Sequence, residues 1–302
     1  MINVSVGLAL RSMLLPSKER RYRRPYPAMF ACALLLLSMT FGAVLLKQRR
    51  AEFRDSIPFK AGIVQPNLSQ RRNASAEKAL EALEVCAGLS KSLFLEGKEK
   101  PDVVIWPETA VPYSYNAMSE FSSRYRMEVL SMLLKYQVPF VLGTIFLEQN
   151  AVDPAKVDIY NSALLLKPGR GIADRYCKEH IVPFGEYVPY SETFPWLAKA
   201  AGMGRNLTRG KQFNSLELAP DVRAGVSICY EDVYAYVSRN HARNGANVLL
   251  VITNDAWYPD SFEPAQHFAN SIFRTVETRL PMIRCGNLDY SAVILQNGSP
   301  PL

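Results

Sequence analysis

Three residues of the sequence carry the side chains that acyl transfer through a thioester needs. Glu108 ends the apolar segment VVIWPE, Cys229 ends GVSIC, and Lys178 lies in the Pro- and Gly-containing stretch YCKEHIVPFGEYVP. A cysteine thiol is mostly protonated at neutral pH, so it needs a base, which Glu108 supplies, before it attacks. Lys178 supplies a fixed positive charge for a developing oxyanion. Residue type alone also fits a buried structural cysteine and two solvated charges, so both interpretations stay open at this point.

The segments that position these residues alternate between strand and helix patterns. Apolar runs predict strands at 60–68, 101–108, 138–146, 160–168, 222–232, 247–255 and 281–287. Helices are predicted at 75–97, 119–136 and 263–279. Apolar strands interleaved with helices indicate a sheet covered on both faces, and hence the α/β class. In such folds catalytic groups gather at strand ends, where Glu108 and Cys229 lie.

The first sixth of the chain differs in composition from the rest. Residues 1–54 hold ten Lys/Arg and two Asp/Glu, a net charge of +8, whereas the whole chain has +7. No charged residue occurs from Pro25 to Leu46. A helix needs about 20 apolar residues to cross the core of a bilayer, and this segment is long enough. We therefore predict a membrane anchor over residues 1–54, with one transmembrane helix at about 25–46 and basic flanks. A cleaved signal peptide would begin nearer the terminus and end in a small-residue cleavage site.

Residues 55–302 form the predicted catalytic domain. They carry the remaining net charge of −1, so they lack the basic surface typical of nucleic-acid-binding proteins. The three histidines form no HExxH pattern and the five cysteines no paired CxxC, so we predict no metal and no cofactor. The final segment, SAVILQNGSPPL, predicts a strand and a turn without a following partner strand. We therefore expect the last strands of this domain to be missing.

Several segments resemble, in sequence and in order, the carbon–nitrogen hydrolase (nitrilase) superfamily and, within it, the apolipoprotein N-acyltransferase branch. The matching stretches are VQPNLSQ (64–70), VVIWPETAVP (103–112), NSALLL (161–166), CKEHIVPFGEYVPY (177–190), GVSICYEDVY (225–234), TNDAWYPDS (253–261) and QHFANSIFRTVETRLPMIRCGN (266–287). VPFGEYVP and NDAW are typical of the acyltransferase branch. The resemblance covers most of residues 58–298. It implies a nitrilase-like α-β-β-α sandwich, preceded here by one transmembrane helix.

The resemblance gives the three residues their roles. Glu108 matches the general base of the family, Lys178 its oxyanion-stabilising lysine and Cys229 its nucleophile. The implied reaction is ping-pong: Cys229 attacks the ester carbonyl of a phospholipid acyl chain while Glu108 takes the thiol proton. The amine of a diacylglyceryl-modified apolipoprotein then attacks the resulting thioester.

Further residues are expected to support this triad. Glu186, in PFGE, and Glu231, in CYE, match glutamates that the family uses near the triad, and structural ion pairs are the alternative for both. The backbone N–H of Tyr230 is expected to add an oxyanion donor. Trp257 and His267 are interpreted as packing and positioning groups.

The implied function is lipoprotein maturation, with a phospholipid acyl donor, an apolipoprotein acceptor, a membrane and no nucleic acid as partners. The resemblance implies a bacterial inner-membrane protein. Five basic residues precede the span and four follow it, which favours a catalytic domain on the extracytoplasmic side. An amidase of the same superfamily, hydrolysing a C–N bond, is one alternative. Members of the branch carry several membrane helices before the domain and one after it, so truncation at both ends is expected. An inactive fragment is therefore the other alternative.

Overall fold

The computed structural model describes residues 26–54, 58–69, 75–191, 193–200, 206–257 and 261–300. The chain divides into two compact units, Met1–Pro58 and Phe59–Leu302.

The described part of the first unit contains one long helix, α1 (Tyr26–Arg54). Many of its apolar side chains are exposed, among them Leu35, Leu36 and Phe41. Within the described residues, no helix combines the length and the apolar character needed to cross a membrane. The transmembrane helix predicted at about 25–46 is therefore not confirmed, and residues 1–25 of the predicted anchor lie outside the described part of the chain.

The second unit is built on two five-stranded sheets. The first sheet has the order β1-β2-β3-β4-β5, with β1 (Ala61–Ile63), β2 (Val103–Ile105), β3 (Phe140–Gln149), β4 (Val157–Lys167) and β5 (Gly171–Cys177). The second has the order β10-β9-β8-β7-β6, with β6 (Ser215–Ala219), β7 (Val222–Ile228), β8 (Val248–Asn254), β9 (Met282–Asn287) and β10 (Ala292–Ile294). In the first sheet β1, β2 and β3 run parallel to one another, and in the second sheet β7, β8 and β9 do so. The other pairings are antiparallel. Parallel strands bring their carboxyl ends to one edge of the sheet, where side chains from neighbouring strands meet.

The α-helices described in this unit are α2 (Ala76–Ser92), α3 (Glu120–Tyr136), α4 (Pro195–Ala200), α5 (Ala235–Arg243) and α6 (Glu263–Thr278). Helices α2, α3 and α6 pack against the sheets. The start of α2 is fixed by Ser75, whose side chain accepts a hydrogen bond from the Lys78 N–H at 3.4 Å. Ser119 caps α3 in the same way through the Ser122 N–H at 3.1 Å.

In the described part of the chain, three apolar clusters hold these layers together. One of them joins the two sheets through side chains such as Ile105 and Val141 of the first sheet and Val226 and Leu250 of the second. A second cluster packs α2 and α3 on the first sheet, and a third packs α6 on the second. The order of layers is therefore α-β-β-α, as predicted. Strands β5 and β6 were not predicted, and the proposed loss of strands after β10 stays a prediction.

Candidate active site

Cys229 lies in a strained turn at the end of strand β7. Cys229 is the first residue after β7, and its φ of 53° lies in the left-handed region. A residue with a Cβ rarely adopts this conformation, and where it does the surrounding structure holds it there, often at a functional site. A 3₁₀ turn, Cys229–Val233, follows directly. The half-buried side chain packs against the edge of the inter-sheet core.

Lys178 lies immediately after β5, and its side chain is only 1% exposed. Its Nζ is 2.8 Å from Oε1 of Glu186 and 3.9 Å from Oε1 of Glu108. Burial acts to lower the pKa of Lys178, but Cys229 in its thiolate form and the carboxylates of Glu186 and Glu108 outweigh it and raise the pKa overall. Lys178 is therefore held as an ammonium ion inside the protein.

Glu108 follows β2 and is almost fully buried. Its Oε1 accepts a hydrogen bond of 2.7 Å from Nδ2 of Asn161. Its Oε2 is buried and makes no hydrogen bond of normal geometry to the part of the chain that is described. Burial raises the pKa of Glu108, while Lys178 and contacts with Asn161 and the Cys229 thiol act to lower it. The carboxyl group thus has one oxygen fixed and one available as a proton acceptor.

The backbone around Glu108 approaches Gly143 of β3 very closely. A Cβ at Gly143 would lie 2.1 Å from the carbonyl oxygen of Pro107 and 2.6 Å from Cα of Glu108. Both distances are far below van der Waals contact, so only glycine fits at this point of β3. Glu108 can therefore occupy its position only because Gly143 of the neighbouring strand has no side chain.

The charges around Cys229 decide its protonation state. Burial and the Glu108 carboxylate raise the pKa of the Cys229 thiol, and the Lys178 ammonium lowers it. The net pKa stands well above the ordinary value. The thiol therefore keeps its proton until a base removes it, and the neighbouring carboxylate is suited to that task. An ammonium ion beside the same atoms is suited to stabilise an oxyanion.

The sequence of the second unit matches one protein family over nearly its whole length. The matching model is described as carbon-nitrogen hydrolase and covers residues 60–299. The chain belongs to the carbon–nitrogen hydrolase family. The predicted resemblance to this superfamily is thereby confirmed.

Several relatives of this carbon–nitrogen hydrolase family member have the name apolipoprotein N-acyltransferase. The protein of that name from Geobacter metallireducens is 30% identical over 275 residues, covering 91% of this chain and 50% of the relative. That from Bdellovibrio bacteriovorus is 31% identical over 275 residues, covering 88% of this chain and 50% of the relative. The chain thus spans about half the length of the curated relatives it matches.

A solved structure shares the fold of this family member. The carbon-nitrogen hydrolase from Helicobacter pylori G27 superimposes with a TM-score of 0.56 at 17% identity, covering 80% of this chain and 83% of that one. At this identity the likeness concerns the fold alone, and it confirms the predicted nitrilase-like α/β class.

Glu186 lies beside Lys178, and the role in the site that the resemblance implies for it stays a prediction. Its Oε1 makes the 2.8 Å contact with Nζ of Lys178, and its Oε2 accepts a hydrogen bond of 2.8 Å from the backbone N–H of Val182. Both carboxylate oxygens are therefore engaged, one by the loop that carries Glu186 and one by Lys178. This arrangement fits a residue that orients the lysine.

Glu231 is completely buried and joins two segments of this family member. Its Oε2 accepts the N–H of Ile228 at 2.8 Å, and its Oε1 accepts the N–H groups of Glu179 at 2.7 Å and His180 at 2.9 Å. Burial raises the pKa of Glu231 to about 7, against the opposing effect of these hydrogen bonds. The turn that carries Cys229 is thereby tied to the segment that follows Lys178.

Tyr230, in the turn, and His267, in α6, lie against each other. Their rings stack with centroids 5.0 Å apart. Nε2 of His267 is 3.3 Å from the carbonyl oxygen of Cys229. These contacts agree with a positioning role for His267, and the oxyanion role of the Tyr230 N–H stays a prediction.

His267 belongs to a buried ionic network that the sequence did not reveal. Its Nε2 is 2.6 Å from Asp232 and its Nδ1 is 2.9 Å from Asp255. Arg284 contacts Asp232 at 2.9 Å and Asp289 at 2.5 Å. Burial acts to lower the pKa of His267, but the two aspartates outweigh it and raise the pKa to about 10. His267 is therefore an imidazolium at neutral pH.

One group of side chains in this network has the spacing of a metal site. The ligand atoms of Asp255, Glu263 and His267 all lie within 4.8 Å of one another. An imidazolium has no free lone pair for a metal ion, and Asp232 and Asp255 engage both of its nitrogens. The arrangement therefore fits an ionic network better than a metal centre.

Proposed function

We propose that this chain carries the catalytic domain of an N-acyltransferase that moves a fatty acyl chain from phospholipid to the N-terminal amine of an apolipoprotein. The observation that supports this most directly is the convergence of a carboxylate, an ammonium ion and a strained cysteine. Glu108, Lys178 and Cys229 come together although they are far apart in the chain. The similarity to proteins named apolipoprotein N-acyltransferase adds the substrate class.

In the first half-reaction Sγ of Cys229 attacks the ester carbonyl carbon of a phospholipid. Glu108 takes the thiol proton through its available oxygen, and Lys178 stabilises the negative oxygen of the tetrahedral intermediate. The intermediate collapses with cleavage of the carbon–oxygen bond. Glu108 returns the proton to the leaving lysophospholipid, and an acyl thioester remains on Cys229.

In the second half-reaction the α-amino group of the diacylglyceryl-cysteine N-terminus attacks the thioester carbonyl. Glu108 accepts a proton from the amine, and Lys178 again stabilises the oxyanion. The carbon–sulfur bond then breaks, Glu108 returns the proton to the sulfur, and the products are an amide and the regenerated thiol. Glu186 orients Lys178 in both half-reactions. Glu231 holds the turn that carries Cys229 against the segment that follows Lys178.

Exposed aromatic side chains fit a lipid substrate. Phe184 and Tyr190 are 63% and 77% exposed on the segment that follows Lys178. Phe262, on the segment between β8 and α6, is 83% exposed. Tyr is enriched at the interface between water and lipid, and Phe is among the apolar residues that enter the lipid side of that interface.

The proposed reaction takes place at a membrane, because both substrates are lipid-anchored. A catalytic domain held near the bilayer would meet them at high effective concentration. The exposed apolar side chains of α1 suit contact with lipid. Location at a bacterial inner membrane, with the catalytic domain on its extracytoplasmic side, stays a prediction.

The decisive experiment is intact-mass spectrometry of the detergent-purified protein after incubation with phospholipid. We expect a gain of one fatty-acyl mass on the wild type and none on Cys229→Ala, with the same unfolding profile for both. Cys32 is an exposed thiol, so Cys32→Ala is the matched control and should gain the acyl mass like the wild type.

A lipidated cysteine peptide should then remove the acyl group and gain it as an amide. A folded wild type that never acquires the adduct would overturn the proposal, and an amide-hydrolysis assay would then test the amidase alternative. Discharge to water as fast as to the peptide would also favour a hydrolase.

A further inference from the structure

Asn254, the last residue of β8, has a buried hydrogen-bond donor without a partner. Its side chain is almost fully buried, and Nδ2 finds no acceptor among the residues that the structure describes. Leaving a buried N–H unpaired is costly, so such a group in a folded protein calls for an explanation. A ligand that supplies a hydrogen-bond acceptor is one such explanation.

The orientation of the Asn254 amide follows from its neighbours. Nδ2 of Asn287 donates to the carbonyl oxygen of Leu68 at 2.7 Å, and Oδ1 of Asn287 accepts the N–H of Leu68 at 2.8 Å. These two bonds fix which end of Asn287 is the donor. The same Nδ2 also donates to Oδ1 of Asn254 at 3.0 Å. The oxygen of Asn254 is thereby identified, and the unpaired atom is its NH₂ group.

The position of Asn254 along β8 places it at the edge of the inter-sheet core. Leu250 and Ile252 belong to that core, and side chains two residues apart lie on the same face of a strand. Ile252 of β8 pairs with Ile228 of β7. Asn254 lies two residues beyond Ile252, and Cys229 lies one residue beyond Ile228. Cys229 packs against the same core. The free donor and the nucleophile thus lie at the carboxyl ends of adjacent parallel strands.

Two further contacts show that the end of β8 is close to the reacting groups. Asp255, the residue after Asn254, is near enough to Cys229 to raise the pKa of its thiol. His267 contacts both Asp255 and the carbonyl oxygen of Cys229.

We infer that the free N–H of Asn254 donates a hydrogen bond to the carbonyl oxygen of the acyl group, beside the Lys178 ammonium. This inference rests on the proposed acyl-enzyme chemistry but not on phospholipid being the donor. The same carbonyl carbon is attacked in both half-reactions. Loss of the donor therefore slows both formation and discharge of the thioester.

The test uses p-nitrophenyl decanoate, an activated ester that does not depend on the natural donor. Release of p-nitrophenolate gives the acylation rate, and hydroxylamine gives the rate of discharge. Asn254→Asp keeps the oxygen that accepts from Asn287 and from the N–H of Ala256, and exchanges the free donor for a carboxyl oxygen. Asn254→Leu has a similar shape without charge. Asn270→Asp, on the exposed side of α6, is the matched control.

We expect both rates to fall by at least about 10-fold in both Asn254 variants and to stay unchanged in Asn270→Asp. The thermal midpoint should be retained in Asn254→Asp, and the Cys229 thiol of Asn254→Leu should react with methyl methanethiosulfonate as fast as in the wild type. An unchanged rate in either half-reaction, or loss of folding in both variants, would overturn the inference. A wild type acylated by this ester but never by phospholipid would instead count against the proposed donor alone.

Discussion

Replacement of Gly143 by alanine tests whether the position of Glu108 controls the reaction. The added Cβ would lie 2.1 Å from the carbonyl oxygen of Pro107. Non-bonded heavy atoms settle at about 3.5 Å, so the Pro107–Glu108 segment must retreat by more than about 1 Å. Strand β3 itself is hydrogen-bonded on both sides, to β2 and to β4, and cannot yield as easily.

A displacement of this size has a large effect on catalysis and a modest one on stability. Misplacing a reacting group by about 1 Å costs about 100-fold in rate. Overpacking a core position costs about 1–3 kcal/mol of unfolding free energy. We therefore expect Gly143→Ala to remain folded, with its acylation rate lowered about 100-fold.

The assay is the time course of acyl-adduct formation by intact mass, with urea unfolding of the same samples. Gly88→Ala is the matched control because a Cβ there meets nothing within 4 Å and the residue lies in helix α2. That variant should keep the wild-type rate and gain up to about 1 kcal/mol of stability. A folded Gly143→Ala protein that acylates at the wild-type rate would refute the assignment of Glu108 as a precisely placed base.

Two further variants probe the charges of the site. Glu108→Gln should lower the acylation rate by about 100-fold or more, since the base is lost. The same change removes a negative charge that raises the Cys229 pKa, so alkylation of the thiol should shift to lower pH, as iodoacetamide kinetics would reveal. The pKa of His267 is raised from 6.5 to about 10, so its charge stabilises the fold below pH 6.5 and this contribution is lost as the pH rises toward 10. His267→Gln should flatten the decline in urea stability over that window; a decline as steep as that of the wild type would exclude His267 as its source.

The proposed triad residues could be found from sequence because strand ends carry recognisable signals. Glu108 and Cys229 each end a mainly apolar run, and parallel strands bring such ends to one edge. Lys178 is recognised through its surrounding motif instead, since β5 alternates partly buried and exposed residues over most of its length and has no continuous apolar run. For the same reason β5 and β6 themselves were not predicted.

The groups that were missed depend on contacts between distant parts of the chain. Asn161 lies inside β4, and only the fold shows that it reaches Glu108, 53 residues earlier. Asp232 meets His267 across 35 residues and Arg284 across 52. No local pattern marks such partners, because Asn161 meets Glu108 only when the first sheet has formed, and the charges of Asp232, His267 and Arg284 are compensated only when α6 has packed on the second sheet.

The division of the site between two sheets has a consequence for how the protein can fail. Glu108 and Lys178 follow strands of the first sheet, whereas Cys229 follows a strand of the second. Either sheet could keep its hydrogen bonds while the interface between them loosens. Such a protein would retain its secondary structure and lose its reactivity. The rate of acylation is therefore a sensitive gauge of the docking of the two sheets, more so than any spectroscopic measure of strand content.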